Sequence, residues 1–370
     1  MFRLFKRIDP VLLGTSLFLS FMSILTILGS VENFGRIKLV MQVSMTLLGI
    51  LIMFFFASID YRFFIDRFYI VMFLFSAFFL AVTLLFGISG TNIETANKSW
   101  INIPIINIAI QPSEFVKISF LCTFAKHIDM VKSRINSPKM LLGLLIHAGI
   151  IVGLILISGD LGVALVYLGV ILIMLFCAGL SGWYFLGMIS ATVVAFPFLW
   201  DFLAPYQQSR IIYGFQPELD PMGVGMQPLM SREVISRGGF FGKGLFEGGA
   251  YEDLTASHTD FIFATVCEKF GFFGGALVVI ALVVLTVRLF YLGVRCKDNV
   301  GKLILCGCAA VIVVQTLENL WMCLALVPVV GITLPFMSAG GSSVLAIYIL
   351  MGLAHSVCAH EKKFYFGREL

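Results

Sequence analysis

The segment of this sequence best suited to chemistry is 257–263, which follows a long polar loop and opens an apolar stretch. Asp260 stands at this boundary. A carboxylate is costly to hold against hydrocarbon, but at the rim of an aqueous mouth it can contact water and a polar headgroup together. Because a positioned carboxylate can take a proton from a hydroxyl, we predict that Asp260 is a general base for a substrate carried by a lipid.

Further ionisable residues fall inside apolar stretches, where a charge indicates a functional site by default. Glu114 and Lys117 are three residues apart and can pair on one helix face. Each position also has a structural alternative, namely a buried ion pair, a helix cap or a neutralised pair that helps helices to pack. Their spread over several helices favours one polar cavity that opens outward. The other members are Asp160, Glu268, Lys269 and Glu318.

One loop, residues 201–259, is unusually long. Such loops in compact proteins are usually functional or form a small domain. Its glycines allow backbone N–H groups to approach an anion closely, which suits a phosphate-bearing ligand; a flexible solvated loop is the alternative. Residues 227–237 are predicted to form a short amphipathic helix on the membrane surface. The interleaved cations are Arg210, Arg232, Arg237 and Lys243.

The cysteines show no metal-ligand or disulfide spacing, and two histidines have positions of interest. His147 lies on an apolar helix and is predicted to be a packing residue. His258 precedes Asp260 outside the membrane, where it either orients a substrate or makes a turn contact, and the structural role is favoured. The eight cysteines are predicted to be small apolar packing residues.

Composition places the chain in a membrane. Of its 370 residues, 59% are hydrophobic and 12% are charged, whereas soluble domains carry about twice that charged fraction. Apolar runs of about 18 or more residues predict membrane-spanning helices. We predict an all-α polytopic membrane protein, a single domain over residues 1–370, with about ten spanning helices. They lie near 11–31, 39–59, 68–87, 112–128, 140–158, 161–178, 182–200, 260–287, 303–327 and 340–358.

Lysine and arginine are concentrated in alternate segments of the chain. This pattern predicts orientation because cytoplasmic loops of membrane proteins are enriched in both residues. The short predicted outer loops hold only Arg36, Lys38 and Lys98. We therefore predict that both termini are cytoplasmic and that the 201–259 loop is extracytoplasmic. The net charge of +4 reflects this bias and does not indicate nucleic-acid binding.

Seven motifs, in order along the chain, carry a family resemblance. They are Ile110–Lys117, Gly159–Gly162, Asp220–Gly225, Ser236–Leu245, His258–Ala264, Val327–Pro335 and Gly340–Ser343. With this order and spacing, the chain resembles the SEDS family (shape, elongation, division and sporulation proteins), which includes RodA, FtsW and SpoVE. The Gly-Lys-Gly-Leu and Pro-Val-Val-Gly elements are more similar to RodA than to FtsW.

The resemblance implies a peptidoglycan glycosyltransferase of the bacterial plasma membrane. Such an enzyme polymerises lipid II, a disaccharide-peptide on undecaprenyl pyrophosphate, at the outer membrane face during cell-wall elongation. It works with a class B penicillin-binding protein, the transpeptidase that crosslinks the glycan. Asp260 stands at the position of the family's essential aspartate and proposed base. The residues expected to bind substrate are Glu114, Lys117, Asp160, Arg210, Lys243, His258, Thr259, Glu268 and Ser338.

Direct displacement assisted by a single base predicts inversion at the donor sugar, unlike the two-carboxylate retaining scheme. The leaving group is a pyrophosphate, whose charge needs cations or a metal rather than a second carboxylic acid. No cofactor is firmly predicted, although a divalent cation, Mg²⁺ or Mn²⁺, is a candidate. The candidate cationic clamps are Lys117, Arg210, Arg237 and Lys243.

Two other functions stay open. One is a flippase for the lipid-linked precursor, which would need charged residues along a path across the whole membrane. The other is a non-enzymatic scaffold that activates a transpeptidase. The scaffold hypothesis is kept open by departures from the family pattern at Met226 and Ala339; the chain also departs from that pattern at Ser99 and Met230.

Overall fold

The computed structural model describes residues 8–88, 98–103, 108–201 and 205–361. Within these ranges the chain forms ten long helices, so the prediction of an all-α polytopic protein is confirmed, and each predicted span falls on one of them. The long helices are α1 (Pro10–Leu28), α3 (Arg36–Ser58), α4 (Tyr61–Phe86), α5 (Pro112–Val131), α6 (Pro138–Ile157), α7 (Leu161–Cys177), α8 (Gly182–Trp200), α11 (Ile262–Arg295), α12 (Asn299–Cys323) and α13 (Gly341–His360).

Seven of these helices are long and apolar enough to cross a membrane, and α7 and α8 are shorter apolar helices. The tenth, α5, carries several charged side chains. In the described part of the chain, three shorter α-helices connect them: α2 (Val31–Phe34), α9 (Pro205–Phe215) and α10 (Met226–Gly238). One antiparallel hairpin interrupts the helical pattern, with β1 (Ile101–Ile103) facing β2 (Ile108–Ile110) so that Asn102 opposes Ala109.

Aspartate side chains define where four of the long helices begin. Each lies at the N-cap and accepts hydrogen bonds from the first free backbone N–H groups, which have no partner inside the helix. Asp9 accepts from Val11 and Leu12 at the start of α1. The N-caps of α4, α7 and α12 are Asp60, Asp160 and Asp298. The helix-cap alternative for Asp160 is therefore confirmed.

The two helices near the C-terminus, α12 and α13, form the centre of the bundle, and most of each is buried. Helix α13 packs on α3, and α12 packs between α11 and α7. Gly49 of α3 faces the ring of Tyr348 so closely that a Cβ at residue 49 would lie 2.4 Å from it. The Tyr348 hydroxyl is hydrogen-bonded to Ser20 of α1 at 2.7 Å. This contact joins α1, α3 and α13.

Helix α8 stands partly apart from the bundle. Near its start, the Tyr184 hydroxyl donates to the carbonyl oxygen of Asn136 at 2.7 Å. Beyond this point most of its apolar side chains are exposed, as in Ile189, Val193 and Phe198. In a membrane these side chains face lipid.

The long loop is folded onto the ends of α11 and α12. The predicted helix at 227–237 is confirmed as α10, which buries Val234. The Ser231 hydroxyl of α10 donates to the carbonyl oxygen of Cys323, the last residue of α12, at 2.8 Å. Helix α11 is kinked at Gly271, whose φ is 66°. Helix α11 begins at Ile262, two residues after the predicted start of that span, so Asp260 lies in the turn before it.

Candidate functional site

Three consecutive backbone carbonyls before α11 are each held by a different donor. The N–H of Ala339 donates to His258 at 2.9 Å. The Ser338 hydroxyl donates to Thr259 at 2.6 Å, and the Asn319 amide donates to Asp260 at 2.7 Å. These bonds hold the backbone at Asp260 against α12 and the segment that joins α12 to α13.

Residues 324–340, which link α12 to α13, are called the joining segment. Hydrogen bonds from more than one helix hold this segment in place. The Ser338 hydroxyl accepts from the N–H of Leu334 at 2.7 Å. The Asn319 amide donates a second hydrogen bond to Ile332 at 2.7 Å. The Ser23 hydroxyl of α1 donates to the carbonyl oxygen of Met337 at 2.6 Å. The joining segment thus connects three spanning helices to the backbone of the predicted base.

The carboxyl group of Asp260 is half-buried beside Gly331 of the joining segment. A Cβ at Gly331 would lie 3.5 Å from Oδ2, and Gly331 has a φ of 72°, which favours glycine. Burial raises the pKa of Asp260 to about 6, the nearby charge of Asp160 raises it too, and a hydrogen bond from Thr259 opposes the rise. A carboxylate with a raised pKa is a stronger base than a solvated one.

Asp160 reaches the same region from the start of α7. Its Oδ1 accepts from the N–H of Val163 at 3.1 Å, and its Oδ2 accepts from the Gln111 amide at 3.1 Å. Gly162 approaches the joining segment so closely that a Cβ would lie 2.6 Å from the carbonyl oxygen of Val330. Burial also raises the pKa of Asp160. Two acids from distant parts of the sequence therefore lie within electrostatic reach of each other.

Lys38, at the start of α3, adds a cation to this region. Its Nζ lies 2.8 Å from Nε2 of His258, and the His258 ring contacts the Phe34 ring at a centroid distance of 5.2 Å. Burial, together with the nearby charge of Lys38, lowers the pKa of His258 to about 4. His258 is therefore neutral near pH 7, and it accepts the hydrogen bond from Lys38 without cancelling the positive charge.

Glu114 and Lys117 form a buried ion pair with an N–O distance of 2.9 Å and exposures of 7% and 4%. Glu114 also lines a small cavity shared with Ser338 of the joining segment and Gln315 of α12. Glu318, also on α12, interacts electrostatically with Lys117, and its Oε2 has no hydrogen-bond partner among the described residues. Glu114 and Ser338 therefore line one small cavity beside the joining segment, and the single outward-opening polar cavity stays a prediction.

The family model of the FtsW/RodA/SpoVE cell cycle proteins matches residues 8–363. The chain belongs to this family. Among its relatives is a probable peptidoglycan glycosyltransferase FtsW of Trichlorobacter lovleyi, 33% identical over 82% of this chain and 79% of the relative. Another is the stage V sporulation protein E of Bacillus subtilis, 32% identical over 85% of each chain. The peptidoglycan glycosyltransferase MrdB of Escherichia coli is 31% identical over 73% of each.

Solved structures share the fold of this FtsW/RodA/SpoVE protein. One match, with a TM-score of 0.83 and 26% identity, is a chain from a study of the structural coordination of polymerization and crosslinking by a peptidoglycan synthase complex. The match covers 96% of this chain and 99% of that one. The rod shape determining protein RodA of Thermus thermophilus matches with a TM-score of 0.70 and 22% identity, over 96% and 98% of the two chains. The predicted enzyme class is the one named by the sequence relatives.

Glu268 and Lys269 hold the long loop of this FtsW/RodA/SpoVE protein. The Glu268 carboxylate accepts from the N–H groups of Gly249, Ala250 and Tyr251 at 3.0–3.1 Å. Lys269 Nζ donates to the carbonyl oxygens of residues 29 and 245 at 2.9 and 3.0 Å. No direct ion pair joins the two side chains among the described residues, but the charge of Glu268 acts on Lys269, so the alternative of a neutralised pair that helps the helices to pack stays open. The Glu268 carboxylate is occupied by loop N–H groups, and its role in substrate binding stays a prediction.

The cations predicted on the long loop are not drawn into this cluster. Arg210 and Lys243 are exposed, and among the described residues no hydrogen bond or ion pair joins either to Asp260. Arg237 pairs with Glu233 on α10 at 2.6 Å. Their proposed contacts with substrate stay predictions.

Sequence reasoning missed two members of the cluster. Asn319 has no place among the residues singled out from the sequence, and Lys38 is singled out only as a charge of a short outer loop. For Lys38 the signal was available, because the short outer loops hold few cations. His147 is confirmed as a packing residue, since its ring contacts Phe73 and Phe120.

The described residues contain no group of three or more His, Cys, Asp or Glu side chains that could hold a metal ion. Asp260 and Asp160 are the two acids of the cluster, and a divalent cation there would need further oxygen ligands, such as phosphate oxygens of a substrate. The divalent cation stays a prediction.

Proposed function

We propose that this protein polymerises lipid II at the outer face of the bacterial plasma membrane, with Asp260 as the general base. The observation that carries the proposal is the fixation of three consecutive carbonyls at His258, Thr259 and Asp260 by Ala339, Ser338 and Asn319. Such fixation supports catalysis because a base must stay within hydrogen-bond reach of the proton that it removes.

The reaction follows from the chemistry of a lipid pyrophosphate donor. An Asp260 carboxylate oxygen accepts the proton of the acceptor sugar hydroxyl while that hydroxyl oxygen forms a bond to the anomeric carbon of the donor. The bond from the anomeric carbon to the pyrophosphate oxygen breaks, and undecaprenyl pyrophosphate leaves with the electron pair. A single displacement inverts the donor sugar. General-base assistance of this kind contributes about 10²- to 10⁴-fold in rate.

Lys38 is the best-placed cation for the departing pyrophosphate. It is bonded to a neutral imidazole two residues from Asp260, so its charge is free to stabilise an anion. Lys117 is already paired with Glu114. We assign Lys38 to the pyrophosphate, while Lys117, Arg210 and Lys243 remain further candidates for approaching phosphate oxygens.

The other predicted site residues support this arrangement in different ways. His258 holds Lys38, and Ser338 and Thr259 join the turn to the joining segment. Asp160 raises the basicity of Asp260 through its charge. Glu268 orders the loop that leads into the turn.

The family supports a proposal for the partner and the location of the enzyme. Because one structural neighbour comes from a complex in which polymerization and crosslinking are coordinated, we propose that this chain works with a class B penicillin-binding protein. We further propose that both chain ends lie on the cytoplasmic side of the plasma membrane, because lysine and arginine are concentrated in the alternate segments of the chain that include them.

The decisive experiment compares the wild type with Asp260→Asn, each purified with a class B penicillin-binding protein and supplied with labelled lipid II. Asp253→Asn is the matched control, because Asp253 is an exposed acid of the same loop outside the cluster. We expect glycan polymer from the wild type and the control and none from Asp260→Asn.

The other outcomes distinguish the alternatives. Polymer from Asp260→Asn at the wild-type rate would remove Asp260 as the base but keep the activity. Failure of every variant to polymerise, with normal stimulation of transpeptidation, would favour the scaffold. Transfer of labelled lipid II across vesicles without polymerisation would favour the flippase.

A further inference from the structure

Four phenylalanine rings form an exposed patch where the long loop meets α11. Phe240 and Phe241 come from the loop and are 69% and 83% exposed, and Phe272 and Phe273 of α11 are 61% and 56% exposed. The rings of Phe240 and Phe272 lie 6.2 Å apart between centroids, and those of Phe241 and Phe273 lie 5.3 Å apart. These four residues are called the phenylalanine patch.

The depth of the patch in the membrane can be read from the neighbouring helix α1. Lys269 Nζ donates to the carbonyl oxygen of Gly29, the residue that ends α1, at 2.9 Å. Arg288 pairs at 2.6 Å with Asp9, which caps the start of α1. The 19 residues of α1 span about 28 Å at a rise of about 1.5 Å per residue, close to the hydrocarbon thickness of about 30 Å.

Lys269 and Arg288 therefore mark the two boundaries of the hydrocarbon layer. Phe272 and Phe273 follow Lys269 on the side of Arg288. The stretch of α11 from Phe272 to Arg288 is about 24 Å long at about 1.5 Å per residue, which is shorter than a hydrocarbon core of about 30 Å. Both phenylalanines of α11 thus lie inside the boundary.

The loop residues are held at the same depth by backbone contacts. The N–H of Phe272 donates to the carbonyl oxygen of Gly239 at 2.8 Å, and the N–H of Phe273 donates to that of Phe240 at 3.3 Å. A Cβ at Gly271 would lie 2.4 Å from the carbonyl oxygen of Phe240, so glycine is required for this approach. The loop tip therefore reaches below the end of α1 and not above it.

Lys243, the next charged residue of the loop, lies at the level of the lipid headgroups. The N–H of Lys243 donates to the carbonyl oxygen of Glu268, beside the boundary residue Lys269, at 2.8 Å, and the Lys243 side chain is exposed. Aromatic rings inside the boundary with a cation at headgroup level are typical of segments that lie in a membrane interface. The occupant that fits this patch is a phospholipid leaflet.

We propose that Phe240 and Phe241 insert into the lipid bilayer and, with Phe272 and Phe273, anchor the long loop to the leaflet on its side. The three hydrogen bonds from the loop to Glu268 then hold the chain that leads into Asp260 at a constant height above the headgroups. The insertion of these rings into the bilayer would hold whether or not the protein polymerises lipid II.

The test places a tryptophan at Phe241 in the full-length protein reconstituted in phosphatidylglycerol–phosphatidylcholine nanodiscs. Phe241→Trp retains an aromatic ring at an exposed position. The matched control is Asp253→Trp. The neighbouring Glu252 accepts a hydrogen bond from Asn33, which lies beyond the end of α1, and this contact places residue 253 outside the hydrocarbon layer. The wild-type emission, which comes from the four native tryptophans, is subtracted from the emission of each variant.

We expect lipids brominated near the headgroup end of their chains to reduce the added emission of Phe241→Trp about twofold, as for an interfacial ring, and to leave Asp253→Trp unchanged. Equal, water-like emission from both variants in brominated and ordinary lipid would overturn the proposal. Loss of the quenching when a class B penicillin-binding protein is added would also overturn it, by assigning the patch to that partner.

Discussion

The side-chain amide of Asn319 donates one hydrogen bond to the carbonyl oxygen of Asp260 and another to that of Ile332, both at 2.7 Å. A single buried side chain in α12 therefore joins the turn that bears the proposed base to the segment that covers it. An amide nitrogen has two N–H donors, and both are used here. Asn319 is fully buried, with an exposure of 0%.

Replacement of Asn319 by alanine is expected to lower kcat for lipid II polymerisation at least about tenfold and to destabilise the protein by about 1–3 kcal/mol, because it removes the amide donor from the carbonyl groups of Asp260 and Ile332. Ser231→Ala is the control, since the Ser231 hydroxyl also donates to a carbonyl at the end of α12. We expect a stability loss of similar kind and unchanged kcat for Ser231→Ala. Equal kcat values for the two variants would contradict a positioning role for Asn319.

The pH dependence of polymerisation should report the raised pKa of Asp260. The base must be deprotonated to act, so kcat/KM is expected to fall as the pH drops through about 6, whereas a solvated aspartate would retain its activity to about pH 4. Because the negative charge of Asp160 contributes to the rise, Asp160→Asn should shift the acidic limb to lower pH. A limb that stays in place in this variant would show that the two acids are not coupled.

Lys38 is predicted to stabilise the departing pyrophosphate. Lys38→Gln removes the charge while keeping a polar side chain, and we expect a loss in kcat/KM of about tenfold or more because a cation near developing phosphate charge is removed. Arg36→Gln, which removes an exposed cation from the same helix start, should change kcat/KM little. Steady-state kinetics with labelled lipid II at constant ionic strength would measure both. Parallel losses in the two variants would indicate general electrostatic attraction instead.

The buried pair of Glu114 and Lys117 should reveal its role through stability. Glu114→Gln removes the bonded carboxylate from a buried ammonium and is expected to cost about 3–5 kcal/mol, whereas replacement of both residues by Gln and Met should recover much of that loss. Thermal unfolding in detergent measures both effects. If the stable double variant also polymerises lipid II normally, the pair is structural; loss of polymerisation in a stable double variant would support the predicted role in substrate binding.

The place of each long helix follows from the sequence because apolar stretches of this length predict membrane spans, although only seven of the ten are long and apolar enough to cross the hydrocarbon layer on their own. The predicted span at 140–158 thus corresponds to α6 (Pro138–Ile157). Helix ends depend on caps and turns, and these were less predictable. The turn at Asp260 shows this, since the apolar pattern begins there but the helix begins at Ile262.

The sequence by itself also determined the chemical character of the site, since an acid and its neighbouring motifs stand where a long loop enters the membrane. Only the tertiary structure decided which distant side chains meet there. Lys38, Asp160 and Asn319 come from three different helices, and their proximity to the turn depends on how those helices pack. Local periodicity reports the face of one helix, but contacts between helices depend on side-chain shapes across the whole bundle, which no short stretch of sequence contains.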